Sequence, residues 1–188
     1  MFLASLGPIA ITVIVLGALI LFFLLYIVVT VNSFKQTMVK ISEANSGIDV
    51  ALTRRYDLLT KALDTAKAYA KHEKQTLYEV INLRKNMPIA EKAQASQKMD
   101  EMGSTVNVLA ESYPELKSAQ VFSDLMVAIK DSEEHLQAAR RFYNSNVSHF
   151  NQKLVSFPAG IIGKSLNLKA VGFFIAESQK TNDVKIEL

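Results

Sequence analysis

The chain has 188 residues, with no cysteine, no tryptophan, three histidines, and 21 Lys+Arg against 18 Asp+Glu. This length fits one compact domain, or one domain with a membrane anchor. The absence of cysteine excludes disulfides, thiolate metal sites and a cysteine nucleophile. The basic surplus is too small to indicate nucleic acid, which would require clustered basic residues.

The first 34 residues carry no charged side chain, and residues 9–31 are almost entirely apolar. Roughly 20 such residues in a helix, at about 1.5 Å each, cross the ~30 Å hydrocarbon core of a bilayer. A cleaved signal peptide would have a basic start, a shorter apolar core and a small-x-small cleavage site. The pattern instead predicts a transmembrane helix at about 9–31, within an anchor at 1–34.

Two basic residues give the expected orientation of this anchor. Lys35 and Lys40 follow the apolar run directly, and no basic residue precedes it. Basic residues near a span favour the cytoplasmic side. We therefore expect the domain that follows the anchor to be cytoplasmic.

After the anchor, apolar residues recur at steps of three and four, which gives a helix one buried face. The predicted helices are a first one that continues from the anchor to about residue 72, a short second at 73–86, a third at 90–112 and a fourth at about 121–157. Prolines follow three of these segments, and the residue before a proline avoids helical geometry. The expected fold class is all-α: an N-terminal transmembrane helix that continues into an antiparallel four-helix bundle over 35–158, followed by a tail at 159–188.

Two blocks of this sequence resemble a known family. The first is Arg-Arg-Tyr-Asp-Leu-Leu at 54–59, with Tyr-Ala-Lys-His-Glu at 69–73. The second comprises Tyr-Pro-Glu-Leu-Lys at 113–117, Ala-Arg-Arg-Phe-Tyr-Asn at 139–144, Asn151, and Ser-Phe-Pro at 156–158. Together they are similar to the signature of the LemA family. The chain departs from that signature at Thr60-Lys61, where relatives usually have Pro-Asn.

This resemblance implies a bacterial single-pass membrane protein with a helical-bundle domain and no agreed biochemical activity. One branch of the family occurs in magnetosome membranes, and its genes often neighbour membrane-protease genes. Both facts point toward membrane organisation or quality control.

The familiar catalytic and metal-binding patterns are missing from the sequence. Helical di-metal sites need Glu-x-x-His pairs, but the residues three before the histidines are Tyr69, Ser132 and Asn146. The Gly-Lys-Ser at 163–165 resembles the end of a phosphate loop, yet proline occupies position 158, where that motif needs glycine. We therefore expect no cofactor, no metal and no catalysis.

One polar constellation lies on the predicted first and fourth helices, at similar distances from their membrane ends. Its members are Arg54, Arg55, Asp57, Glu133, Glu134, Arg140 and Arg141, with Tyr143 and Asn144 beside them. One interpretation is a network that fixes the register of the two helices, with Asp57 paired to Arg140 or Arg141. The other is an anion or peptide site, because arginine forks bind carboxylate and phosphate.

The tail is unusually apolar between residues 159 and 176. If the helices alternate in direction, the fourth returns toward the bilayer and delivers this segment to its surface. The residues expected at a membrane interface, or in an assembly contact, are Ile161, Ile162, Lys164, Leu166, Leu168, Lys169, Phe173, Phe174 and Ile175. The alternatives are folding back on the bundle, pairing with a second subunit, or a loose tail.

Together these features predict a membrane-anchored scaffold or adaptor of the bacterial inner membrane. It would act through the lipid bilayer and protein partners, including self-association, with no nucleic acid and no small-molecule substrate. The alternative is a regulatory or accessory subunit of a membrane protease or envelope-stress system.

Overall fold

The computed structural model describes residues 7–69, 81, 83 and 87–175, and these residues form helices without any strand. The helices are α1 (Pro8–Tyr69), α2 (Ile89–Ser112), α3 (Pro114–Ser118), α4 (Gln120–Val155) and α5 (Ala159–Ser165). The predicted all-α class, with a long apolar first helix, is therefore confirmed. The predicted short helix at 73–86 lies outside the described residues, apart from positions 81 and 83.

The long helices lie close to their predicted ranges, whereas two short helices were not predicted. Helix α3 begins at Pro114, and proline is well suited to the first helical position because its missing N–H would be unpaired there. Helix α5 occupies the start of the predicted tail. Both are too short to produce a periodic apolar pattern that sequence analysis could detect.

Contacts divide the chain into two compact units. Unit 1 consists of residues 1–40 and 148–171, and unit 2 of residues 41–147 and 172–188. Helices α1 and α4 contribute residues to both. The predicted division into an anchor at 1–34, a helical domain at 35–158 and a tail at 159–188 was based on the sequence pattern alone. It stays a prediction.

In unit 1, α1 is long and apolar enough to cross a membrane, and its most apolar window has no buried residue. Burial begins near the end of this apolar run, where Thr30 is 4% exposed, and the Phe34 side chain that follows is 1% exposed. The Phe34 ring meets the Phe150 ring edge-on, with their centroids 5.8 Å apart. The Lys153 ammonium lies 4.8 Å from the Phe34 ring centroid.

Helix α5 packs closely on this site because two of its residues are glycines. A Cβ atom on Gly160 would lie 2.6 Å from the backbone oxygen of Leu154. A Cβ on Gly163 would lie 2.6 Å from a Leu154 methyl and 3.3 Å from the Phe34 ring. The glycines that suggested part of a phosphate loop are therefore close-packing positions within a helix.

The end of α5 is a Schellman motif. Asn167 adopts a left-handed conformation with φ 53°, which asparagine tolerates better than most residues. Its N–H donates to the Lys164 carbonyl, and the Leu168 N–H donates to the Gly163 carbonyl, both at 3.0 Å. These two bonds satisfy carbonyls that the helix end would otherwise leave unpaired.

In unit 2, the predicted apolar faces are buried. The side chains that are at most 1% exposed include, in chain order, Ile48, Leu52, Leu59, Leu63, Met99, Val106, Leu116, Phe122, Leu136 and Val147. Each long helix contributes one stripe to this core, as its three-and-four spacing predicts.

A fully buried lysine explains a polar gap in the α1 stripe. Lys92 of α2 is 0% exposed, and its ammonium donates to the Asn45 side-chain oxygen at 2.7 Å. The ammonium also lies 2.5 Å from an Asp49 carboxylate oxygen. Asn45 interrupts the apolar period because a buried ammonium requires acceptors nearby.

The close approach at Gly160 gives a stability prediction. Gly160→Ala should lower the free energy of unfolding by about 1–3 kcal/mol, because backbone at Leu154 cannot move aside for the new methyl group. The matched control is Gly47→Ala, in the interior of α1 with nothing within 4 Å of its Cβ. That change should raise stability by about 0.5–1 kcal/mol. Thermal unfolding of the full chain in detergent, followed by circular dichroism, measures both; equal effects would contradict the packing described.

Candidate functional site

Unit 2 contains a cluster of charged side chains from its three long helices. Arg55 of α1 is 5% exposed, and its Nη2 donates to an Asp100 oxygen of α2 at 2.7 Å. The same nitrogen lies 2.7 Å from Glu133 Oε2 of α4. That carboxylate oxygen lies outside hydrogen-bonding geometry, so the second contact is an ion pair alone. Arg55 therefore links all three helices.

Arg140 of α4 lies beside this cluster, but no carboxylate of the described residues is within ion-pair distance of it. Its Nη2 donates to the Ser96 hydroxyl of α2, and its guanidinium carbon is 4.8 Å from the Phe174 ring centroid. Its Nε is buried and has no hydrogen-bond partner in the part of the chain that the structure describes. Burial lowers the pKa of Arg140, whereas Glu133 and Asp100 raise it and Arg55 lowers it further. The group stays charged, since arginine does not deprotonate in proteins.

After α5, side-chain amides of α4 bind the backbone of the chain. We call residues 171–175 the returning segment. In unit 2, the Asn144 amide nitrogen donates to the Phe174 carbonyl at 2.9 Å, and the Phe174 N–H donates to the Asn144 oxygen at 2.8 Å. The Tyr143 hydroxyl donates to the Gly172 carbonyl at 3.1 Å. Burial raises the pKa of Tyr143, so this hydroxyl keeps its proton.

Unit 1 contains the same two-point arrangement. The Asn151 amide nitrogen donates to the Val171 carbonyl, and the Val171 N–H donates to the Asn151 oxygen, both at 2.9 Å. Asn144 and Asn151 are seven residues apart, which is about two helical turns, so both lie on one face of α4. Residues 171–175, which belong to no helix or strand, thus receive backbone hydrogen bonds from side chains of α4.

The returning segment and α4 enclose a cleft of about 600 Å³ in unit 2. The residues that line it are Gln137, Arg140, Arg141, Asn144, Ser145, Phe173, Phe174 and Ile175. Two lining residues are cations and none is acidic. We call this the arginine cleft.

The predicted polar constellation separates into three groups. Arg55, Glu133 and Arg140 meet in the cluster, and Tyr143 and Asn144 bind the returning segment. The remaining residues, Arg54, Asp57, Glu134 and Arg141, are exposed. Within the described residues Asp57 has no ion pair with either predicted arginine; it lines a shallow cleft on α1 together with Arg54 and Lys61. The reason is the angle of about 100° between successive residues of a helix: Arg55 faces the interior, and Asp57, two residues later, faces solvent.

The predicted tail residues also separate. Phe174 is 4% exposed, because it lies under the Arg140 guanidinium. Ile162 and Leu168 are half-buried. The exposed members are Ile161, Lys164, Leu166, Lys169, Phe173 and Ile175. Of the alternatives considered for the tail, folding back on the helices thus describes Phe174. The exposed apolar residues make no such buried contact within the described residues.

Sequence analysis did not identify Lys92, Ser96 and Asp100 of α2. Their spacing of four residues places them on one helical face, beside the predicted apolar stripe. A lysine, a serine and an aspartate on one helical face are typical of a surface that faces solvent, so the sequence did not indicate that Lys92 and Ser96 are buried. In the sequence, Asn45 differs from its neighbours only as a polar interruption of the apolar spacing of α1. Among the described residues, no group of three or more histidines and carboxylates is arranged to hold a metal ion.

The cluster gives a prediction that separates two neighbouring arginines. Arg55→Ala should cost about 2–4 kcal/mol of unfolding free energy, because Asp100 and the partly buried Glu133 lose their counter-charge. Arg54→Ala and Asp57→Ala change exposed side chains and should each stay within about 0.5 kcal/mol. Denaturant unfolding of the full chain in detergent measures all three. A loss at Arg54 as large as that at Arg55 would contradict the assigned inward face.

The returning segment gives a second prediction. Asn144→Ala removes both hydrogen bonds to Phe174, so the Phe174 amide should exchange its hydrogen roughly 10–100 times faster. The control is Asn146→Ala, whose amide donates only to the Phe142 carbonyl of its own helix. Hydrogen–deuterium exchange by mass spectrometry on the peptide that contains residues 171–175 reports the difference. Unchanged exchange in the Asn144 variant would show that the amide does not hold the segment.

Comparison with known proteins agrees with the resemblance noted in the sequence. The chain is similar to Protein LemA of Metamycoplasma hominis, with 27% identity over 183 residues that cover 87% of this chain and 82% of the relative. The model of the LemA family matches residues 44–188. That match includes the three-helix cluster, the arginine cleft and helix α5. On this match over most of its length, the chain belongs to the LemA family.

Proposed function

We propose that this protein is a membrane-anchored helical adaptor without catalytic activity, and that it recruits protein partners by binding their acidic side chains in the arginine cleft. The observation that carries the proposal is the lining of the cleft: two arginines, three uncharged polar residues and three apolar ones, without a carboxylate. Such a lining matches a partner segment that combines acidic and apolar side chains.

The two arginines of the cleft differ in a way that favours binding. Arg140 is fixed by Ser96 and Phe174 and largely removed from water, so a carboxylate reaching it would interact in a low dielectric. Arg141 is exposed and free to move toward an incoming acid. Arginine forms charge-assisted, two-point hydrogen bonds with carboxylates and is enriched among the residues that dominate interface energies.

The apolar part of the cleft comes from the returning segment. Phe173 and Ile175 are 43% and 69% exposed, on either side of the buried Phe174. They give an acidic peptide neighbouring apolar side chains to cover. Because the Asn144 side chain fixes the backbone at Phe174, this surface is arranged before a partner arrives, which lowers the ordering cost of binding.

Helix α1 also supports the proposed adaptor function. Its exposed apolar run is long enough to span a bilayer, and Lys35 and Lys40 favour cytoplasmic placement of the domain. We therefore propose a bacterial inner-membrane protein that holds its partners at the cytoplasmic surface. The reasons for a non-catalytic role are the chain's composition and helical-bundle character.

A pair of peptides tests the recognition directly. A fluorescent peptide of alternating leucine and glutamate should bind the full chain in detergent at least about ten-fold more tightly than the same peptide with glutamine, a difference of about 1.4 kcal/mol. The preference should weaken as salt rises, because Arg141 is exposed. Arg141→Glu should abolish it. The matched control, Arg54→Glu, reverses another exposed arginine of unit 2 outside the cleft and should leave the preference intact.

The same variants test the adaptor in native membranes. A photo-crosslinking residue at Ser145, which lines the cleft, should capture partners that disappear with Arg141→Glu and persist with Arg54→Glu. Equal binding of the two peptides, or crosslinks that do not respond to Arg141→Glu, would contradict the proposal. The identity of a captured partner would also separate a general adaptor from a subunit of a membrane protease.

A further inference from the structure

We infer that the corner between α4 and α5 inserts into the bilayer beside the anchor helix and forms a second, interfacial attachment to lipid. The inference rests on the proposed membrane anchor and goes beyond it, because a single span requires no second contact. All the residues that carry it belong to unit 1.

The first step is the position of the corner along α1. Phe34 lies three residues beyond the end of the uncharged apolar run at Val31, and it is buried against Phe150 and close to Gly163. Residues 150–163 therefore sit where α1 leaves the apolar run. If that run occupies the hydrocarbon, this position is the headgroup boundary.

The second step is that part of the run itself is covered. The large apolar residues near its start and middle are exposed, but Tyr26 and Ile27 are half-buried and Thr30 is only 4% exposed. A helix alone leaves such side chains open to their surroundings. Among the described residues, unit 1 contains no other segment than 148–171 that could cover them. Thr30 lies one turn, roughly 6 Å, below Phe34 along the helix, so the covering segment reaches into the level of the apolar run.

The third step is the chemistry of the corner. Val155 and Phe157 are each 85% exposed, and Ile161 of α5 is 62% exposed. Tight packing at Gly160 and Gly163 holds α5 against Leu154 and Phe34, so these side chains cannot turn inward without breaking that contact. In water, three large apolar side chains within seven residues of the chain would be exposed on an element that is fixed by close packing, and neighbouring exposed apolar groups of this kind mark an interaction site.

The fourth step is charge. Lys164 is exposed in the last turn of α5, and Lys153 precedes Phe157 by four residues and has its ammonium over the Phe34 ring. Burial lowers the pKa of Lys153. Apolar side chains with neighbouring lysines are the composition of segments that lie in the interface, with the lysines reaching lipid phosphates. Continuity with the anchor selects lipid as the occupant rather than a second protein.

The structure shifts the predicted contact toward the beginning of the tail. Val155 and Phe157 precede the residues that were expected at the interface, and they are more exposed than any of the apolar residues expected there. Phe174, which was expected there, is instead buried under Arg140. The lipid contact is thus assigned to residues 155–166 and not to the whole tail.

The absence of tryptophan from the chain allows a direct measurement of depth. Three single-tryptophan variants of the full chain are placed in vesicles of phosphatidylethanolamine and phosphatidylglycerol that carry bromine at shallow or deep acyl positions. Phe157→Trp reports on the corner, Phe22→Trp on the anchor, and Phe142→Trp, an exposed phenylalanine of unit 2, sets the background. Each site is exposed, so the larger ring fits, and circular dichroism checks that helicity is unchanged.

The expected result is that Phe157→Trp loses emission with shallow bromines more than with deep ones, at a depth of about 5–10 Å. Phe22→Trp should lose emission with deep bromines, and Phe142→Trp should match unbrominated vesicles. If Phe157→Trp behaves like Phe142→Trp while Phe22→Trp is quenched, the anchor stands and the corner inference is overturned. If Phe22→Trp is also unquenched, the proposed anchor itself has failed, and the inference with it.

A soluble quencher identifies the competing occupant. Acrylamide should quench Phe157→Trp weakly in vesicles and strongly in the unfolded chain. Protection from acrylamide without quenching by brominated lipid would mean that another protein surface covers Phe157, such as a second copy of the chain. That outcome would overturn the lipid assignment. Val155→Glu should weaken the bromine quenching of Phe157→Trp, whereas Val127→Glu, at an exposed position of unit 2, should not.

Discussion

Within the described part of the chain, three cations are buried among the helices, and each depends on acceptors from a neighbouring helix. Arg55 reaches Asp100 and Glu133, Lys92 reaches Asn45 and Asp49, and Arg140 reaches Ser96. Leaving a buried charge unpaired costs several kcal/mol. A slide of one helix along another would separate these cations from their acceptors. The buried cations are therefore a physical reason for one register of α1, α2 and α4 in unit 2 to be preferred, in addition to the apolar stripes.

This requirement also shapes the arginine cleft. Asp100 and Glu133 contact Arg55, so among the described residues Arg140 is left with a hydroxyl and an aromatic ring; its buried Nε has no hydrogen-bond partner there, and neither has that of Arg55. A stabilising network would be expected to satisfy such a group. Its position at the edge of a cleft, with Arg141 beside it, gives a physical reason to look for an acidic partner there. The same side chain thus contacts α2 on one side and lines the arginine cleft on the other.

In the returning segment, side chains of α4 bind the backbone of residues that belong to no helix or strand. Asn144 and Asn151 each bind both polar groups of one residue, and Tyr143 binds a third carbonyl. Extended backbone beside a helix would otherwise leave its N–H and C=O groups unpaired, which is costly in a partly buried position. The asparagines of the Arg-Arg-Phe-Tyr-Asn block and of the site seven residues later thereby acquire a structural role: they fix the segment that forms one wall of the cleft.

The sequence by itself determined the helical class, the apolar run of α1, the family, and the buried faces of the long helices, because helical periodicity and hydropathy are local properties. The sequence also indicated Arg55, Glu133, Arg140, Tyr143 and Asn144 as site residues. It paired Asp57 with an arginine of the fourth helix, however, because charge alone does not show which of two neighbouring polar residues in a helix faces the interior. Only the tertiary structure decided which cations are buried, because Lys92 and Ser96 look like solvent-facing residues until the neighbouring helices cover them, and Asp100 meets Arg55 only in the folded chain. It also decided that Gly160 packs on Leu154 across the turn between α4 and α5. The contacts of Gly163 with Phe34 and of Phe174 with Arg140 likewise come from the tertiary structure, because each joins residues far apart in the chain.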